Sequence, residues 1–102
     1  MKQTNCEAKK WIKKLNLEKH PEGGYFRENY RSDIIIDGEC LPEKHKAQRN
    51  LATSIWYLLQ CDDISHFHRL RSDELWFIHC GCDVLLHLID NERIMKTIVL
   101  SD

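Results

Sequence analysis

The densest run of reactive side chains extends from residue 65 to residue 81, Ser-His-Phe-His-Arg-Leu-Arg-Ser-Asp-Glu-Leu-Trp-Phe-Ile-His-Cys-Gly. Neutral imidazoles and a carboxylate are borderline ligands suited to zinc, iron, manganese or nickel. In an extended segment alternate side chains share a face, so His66 and His68 are expected on one side and Phe67 on the other. Glu74 lies on the next strand-like run, residues 74 to 79, where Trp76 and Ile78 share its face and His79 turns away. If the two runs fold against each other, His66, His68 and Glu74 converge as a divalent-metal site. His79 reads as a surface or interface histidine, and the direction of His87 stays open.

The whole chain limits what such a site can be. At 102 residues it is expected to form a single domain, near the lower size at which a barrel buries a good core, so any pocket is modest. Its 42% hydrophobic and 30% charged residues describe an ordinary folded protein. A net charge of -1 offers phosphates no overall attraction, which argues against a nucleic-acid partner. No apolar run approaches the roughly 18 residues needed to span a bilayer, and the N-terminus lacks the apolar core of a secretory signal, so no membrane role and a cytoplasmic location are expected. Cys6, Cys40, Cys61, Cys80 and Cys82 are odd in number and read as reduced thiols. Cys80-Gly81-Cys82 lacks the two-residue spacer of zinc and thioredoxin-type pairs and reads as a turn with incidental cysteines.

The elements that must position these residues begin with a helix at about residues 4 to 16. Thr4 and Glu7 have the spacing of a capping box, and Ala8, Trp11, Ile12 and Leu15 form one apolar stripe among solvated lysines. Pro21-Glu22-Gly23-Gly24 then breaks the chain. From about residue 24 onward short β-prone runs follow, at residues 25–31, 34–36, 52–59, 65–68, 74–79, 84–89 and 94–100. The short, turn-rich gaps between the later runs predict consecutive antiparallel pairing. Residues 37–50 form a longer polar stretch, expected to be a mobile loop, a lid or an insertion. Strand parity puts Tyr25, Arg27, Asn29 and Arg31 on one face of the first long strand and Phe26, Glu28 and Tyr30 on the other. One helix followed by regularly spaced strands predicts a mainly β sandwich or barrel with the helix packed outside.

Three ordered blocks carry a more specific signal: His20-Pro21-Glu22-Gly23-Gly24-Tyr25-Phe26-Arg27-Glu28, Ala52-Thr53-Ser54-Ile55-Trp56-Tyr57-Leu58-Leu59, and Ser65-His66-Phe67-His68 continuing through Glu74 to Trp76. Together they resemble the cupin_5 family, also called DUF985. The resemblance implies a double-stranded β-helix, the jelly-roll barrel of cupins, usually assembled as a homodimer and similar in fold to sugar epimerases of the RmlC type. The wider cupin pattern places two histidines, a glutamate and a glycine at the positions of His66, His68, Glu74 and Gly81. It departs here in its five-residue spacer between His68 and Glu74, and within the family the His66 position varies. The later cupin motif and the barrel-closing strands have no counterpart before Asp102, so the barrel is expected to be incomplete at its C-terminal edge.

Carried across residue by residue, the resemblance marks His68 and Glu74 as catalytic candidates and Tyr25, Arg27, Glu28 and Ser54 as ligand-binding ones. Gly23 and Gly24 serve a turn, and Trp56, Tyr57 and Trp76 read as core or interface aromatics. Arg27 is the anion-binding candidate, with a salt bridge to Glu28 or Glu22 as its structural alternative. The leading expectation is a small polar or anionic ligand, such as a sugar nucleotide, bound in the barrel mouth. His68 would act as acid or base in epimerase- or isomerase-type chemistry and Glu74 would orient it. The rivals are a metal-dependent enzyme using His66, His68 and Glu74, with the metal not favoured, and a dimerising structural module.

Overall fold

The computed structural model describes residues 2–41, 47–70 and 72–102, with side chains from residue 7 onward. The backbone divides into two compact units, Met1–Arg71 and Ser72–Asp102. In the first, helix α1 (Lys2–Leu15) starts two residues before the expected Thr4 cap, a shift common at helix ends. The Thr4 side chain lies outside the described residues. The expected stripe is present: Ala8 is buried, Ile12 and Leu15 are half-buried, and Trp11 is covered by Lys14, whose Nζ lies 5.5 Å from the ring centroid.

α1 ends for a local reason. Asn16 takes φ 54°, a left-handed conformation that asparagine tolerates better than most residues. The reversal lets the Leu17 N–H donate to the Ile12 carbonyl at 2.9 Å and the Asn16 N–H to the Lys13 carbonyl at 3.3 Å. This is the Schellman arrangement, and it turns Leu17 inward, where it is buried with Ala8. Arg27 Nη1 donates to the Asn16 carbonyl at 3.4 Å, placing a cation where the helix leaves its carbonyls unpaired.

β1 (Glu18–Lys19), β2 (Tyr25–Arg31) and β5 (Thr53–Leu58) form an antiparallel sheet in the order β1-β2-β5. Between β2 and β5 lie β3 (Ile35–Ile36), a 3-10 turn at Gly38–Cys40 and β4 (Arg49–Asn50), with β3 and β4 paired. Residues 42–46, within the stretch expected to be a loop or lid, fall outside the description. Buried Ser32 joins the two sheets with every polar atom satisfied. Its N–H donates to the Ala52 carbonyl at 2.8 Å, its Oγ accepts from the Ile34 N–H at 3.1 Å, and its carbonyl accepts from Asn50 Nδ2 at 2.7 Å.

The second unit is built on an antiparallel hairpin of β6 (Val84–Ile89) and β7 (Met95–Leu100). Asp90 organises its turn, Oδ1 accepting from the Glu92 N–H at 2.8 Å and the Ile94 N–H at 3.0 Å. His87 now has a direction: it pairs with Thr97 across the hairpin, Nδ1 lying 2.9 Å from Oγ1.

Several expectations are corrected. Residues 65–68 and 74–79 join no ladder, because a strand exists only through its partner and β-propensity supplies none. Consecutive antiparallel pairing of the later runs holds for β6 and β7, whereas among the earlier runs β5 pairs with β2 across β3 and β4. The parity of β2 also changes part-way. The register shifts between Glu28 and Tyr30, so Asn29 is an extra residue, and beyond it Arg31 moves to the face of Phe26 and Glu28 while Tyr30 joins Tyr25 and Arg27.

Candidate functional site

The best-built region of the first unit surrounds the turn before β2. Gly23 has φ +115° and Gly24 φ +77°, both in the left-handed region that favours glycine. A Cβ at Gly23 would stand 2.0 Å from the Ile64 carbonyl oxygen, so glycine is also required by close approach. The turn is closed by the His20 N–H to the Gly24 carbonyl at 2.8 Å and the Gly23 N–H to the His20 carbonyl at 3.1 Å. Tyr57 on β5 donates its Oη to the Gly23 carbonyl at 2.5 Å. The His66 N–H donates to the Glu22 carbonyl at 2.7 Å. All three sequence blocks therefore meet at this turn.

The histidines of this region are fixed in opposite tautomers. His20 Nδ1 accepts the Glu22 N–H at 3.0 Å, so the proton of its neutral ring sits on Nε2. The same ring packs edge-on to Phe26, with centroids 4.9 Å apart at 79°, and tilts against Tyr57 at 5.1 Å. His68 is the reverse. Its Nδ1 lies 2.9 Å from the His66 carbonyl, and because a carbonyl can only accept, Nδ1 carries the proton and Nε2 holds a lone pair. An exposed imidazole held this way can take up a proton at Nε2.

The ligand-binding candidates separate by face. Paired residues on neighbouring strands project to the same side, and Tyr25↔Leu58, Arg27↔Trp56 and Tyr30↔Ser54 place Tyr25, Arg27, Ser54 and Trp56 together. Phe26↔Tyr57, Glu28↔Ile55 and Arg31↔Thr53 make up the other face, on the side of His20. Glu28 is thus divided from the other three candidates. Its carboxylate is taken by Arg31, through Nε at 3.0 Å and Nη2 at 2.5 Å. The expected alternative of an Arg27–Glu28 bridge is replaced by this pair, because the two side chains lie on opposite faces. Ser54 Oγ donates to Asn29 Oδ1, the side chain of the bulge residue.

Glu74 belongs to the second unit, and His66 and His68 belong to the first. Residues 74–79 keep the expected alternation without a ladder. Trp76 and Ile78 are half-buried, whereas Leu75 and Phe77 are 80% and 75% exposed. Trp76 Nε1 donates to Glu74 Oε1 at 2.8 Å, which confirms that these two share a side. Among the described residues no three His, Cys, Asp or Glu side chains gather as a metal cage.

His20 belongs to the first block that carries the family resemblance, but sequence reasoning assigned it no specific role. Its i, i+2 spacing to Glu22 at the head of a glycine turn was the available signal, but its stacking on Tyr57 depends on a register that spans more than thirty residues of chain.

Comparison with known proteins agrees with this architecture. The family model described as Cupin_5, cupin superfamily (DUF985), matches residues 9–102. A crystal structure of a protein from Shewanella oneidensis is similar, with a TM-score of 0.78 and 38% identity over 92% of this chain and 54% of that one. A hypothetical protein from Leishmania major is similar with a TM-score of 0.77 and 34% identity, over 93% of this chain and 57% of that one. The chain thus spans a little over half the length of these two structures. No protein of curated function matches it. No helix among the described residues is long and apolar enough to cross a membrane.

Proposed function

Because the chain belongs to the cupin superfamily, in the DUF985 family, we propose that it binds a small polar or anionic ligand on the sheet face carrying Phe26 and Tyr57, with His68 as its acid–base group. The observation that carries this reading is the bond from the His66 N–H to the Glu22 carbonyl at 2.7 Å, which ties the histidine stretch to the turn that Tyr57 and His20 also hold. His68 Nε2 would remove a proton from a ligand carbon or hydroxyl and return it, the elementary step of an epimerase or isomerase. The sequence reading pairs His68 with Glu74, and Glu74→Gln tests that pairing. Arg27, the expected anion holder, sits on the opposite face with Tyr25, Ser54 and Trp56. That grouping of a guanidinium, a hydroxyl and two aromatic rings supports a second reading, in which the anionic part is held there.

A thermal-shift panel of nucleotide sugars and small carboxylic acids tests both. Under the first reading the compound that raises the Tm loses its effect with His68→Ala and keeps it with Arg27→Ala. The reverse pattern selects the second face, and a panel that moves the Tm of no variant removes both readings.

The role of a dimerising module is favoured by a different observation. On one side of the β6–β7 hairpin Leu85, Ile89, Met95 and Val99 flank the His87–Thr97 pair and are more than half exposed. We propose that a second copy covers this side. Light scattering of the purified chain should give twice the monomer mass, and Leu85→Lys with Val99→Lys should return it to the monomer. A monomeric wild-type chain would overturn the assignment.

A further inference from the structure

We propose that Cys80 and Cys82 act as a thiol pair that closes reversibly into an intrachain disulfide by exchange with a low-molecular-weight disulfide such as oxidised glutathione. Both thiols are free and exposed. They flank Gly81 where the backbone bends through residues 80–82. Two residues of extended chain span at most about 7 Å, and a bend brings the ends closer, into the window of about 4.4–6.8 Å between Cα atoms that a disulfide accepts. Gly81 has φ +110°, a conformation a side chain would strain, and no described atom outside residues 80–82 lies within 4 Å of where its Cβ would stand. The bend is therefore open on that side of Gly81.

The exchange balances in two steps. One cysteine thiolate attacks a glutathione sulfur, forming a mixed disulfide and releasing one glutathione thiolate. The second cysteine thiolate then attacks the protein sulfur of that mixed disulfide and releases the other. The two cysteines lose two electrons and two protons, and the oxidised glutathione gains them as two thiols. A ring closed over one intervening residue is small and strained, which makes the bond readily reducible and suits it to switching rather than to permanent bracing. Cys82 lies two residues before β6 and Cys80 directly follows the 74–79 run, so closure would stiffen the joint between the segment carrying Glu74 and the hairpin.

The test is to treat the full chain with oxidised glutathione, alkylate the remaining thiols, and map the products by mass spectrometry. Wild type should leave three of its five cysteines alkylated and yield one peptide lacking two hydrogens, with Cys80 and Cys82 joined and no glutathione retained. Cys82→Ser or Cys80→Ser should instead accumulate a glutathione adduct on the remaining partner, because the resolving thiol is gone. Cys40→Ser and Cys61→Ser should behave as wild type. Retention of glutathione by the wild-type chain, alkylation of both cysteines after treatment, or a disulfide mapping to any other pair would overturn the proposal.

Discussion

Arg31 grips Glu28 with two guanidinium nitrogens, at 3.0 and 2.5 Å, from three residues along the same strand. A regular strand would send these side chains to opposite faces. Asn29 makes the contact possible, as the extra residue whose bulge turns Arg31 back onto the face of Glu28. Arg31 also reaches Asn50 Oδ1 at 2.7 Å, so the bulge links β2 to β4. The Glu28 bond, and then the Glu28 charge, raises the Arg31 pKa above its ordinary value. A raised pKa gives a contribution fully present below the unfolded value and lost only as pH rises through the folded one. Titration of Arg31 should therefore leave stability unchanged between about pH 6 and pH 9.

Both side chains of this pair are well exposed, at 54% and 38%. The charge interaction itself should be weak and screened, while the bulge should matter more. Arg31→Gln is expected to lower the Tm only slightly, by an amount that shrinks further in about 1 M salt. Deleting Asn29 should lower it more, because it removes the bond between Ser54 and Asn29 and the added twist of the bulge, although Tyr30 and Arg31 would keep their faces. Equal effects of the two changes in thermal melts would show that the bulge has no structural role.

Gly23 and Gly81 separate backbone strain from collision. Both have φ above +100°, but a Cβ at Gly23 would overlap the Ile64 carbonyl, whereas one at Gly81 meets open space. Gly81→Ala should therefore cost about 1–2 kcal/mol from conformation alone. Gly23→Ala adds displacement of a backbone segment and should cost about 3–5 kcal/mol. Urea unfolding of the two variants checks the difference, and a Gly23→Ala protein as stable as Gly81→Ala would contradict the packing around Ile64.

The legible parts of the fold were those with local causes. The helical stripe from Ala8 to Leu15, the glycine break, and the runs that became β2, β5, β6 and β7 each carry their periodicity and turn residues with them. The bulge was not legible, because a single extra residue leaves no mark in composition and yet inverts the parity of Tyr30 and Arg31. Residues 65–68 and 74–79 read as strands on propensity, yet pairing is settled by partners elsewhere in the chain. For the candidate site, the pairing of Glu74 with Trp76 was legible as i, i+2 alternation. The meeting of His20 with Tyr57 was not, since it rests on the register Phe26↔Tyr57 between distant segments.

Tyr57 tests how far its turn depends on one hydroxyl. The Oη bond to the Gly23 carbonyl is half-buried, and its loss would leave that carbonyl without this donor. Tyr57→Phe keeps the ring beside His20 and should cost about 1–2 kcal/mol. Tyr57→Leu also removes the ring contact and should cost more. Denaturant melts in which Tyr57→Phe equals wild type would mean that the bond adds nothing to stability.

The tautomers of His20 and His68 give the most direct check on the proposed chemistry. His20 accepts the Glu22 N–H at Nδ1 and so carries its neutral-form proton on Nε2, while His68 donates from Nδ1 to the His66 carbonyl and keeps a lone pair on Nε2. Nitrogen-15 spectra of the imidazoles at a pH where both rings are neutral should show the protonated nitrogen at Nε2 for His20 and at Nδ1 for His68. His20→Gln should disturb the His20–Glu22 turn and its Tm while leaving the His68 tautomer in place, because the His68 bond is made within its own dipeptide neighbourhood. A His68 ring protonated at Nε2 in the neutral form would lack the exposed base that epimerase-type proton transfer requires, and the catalytic role assigned to it would fall.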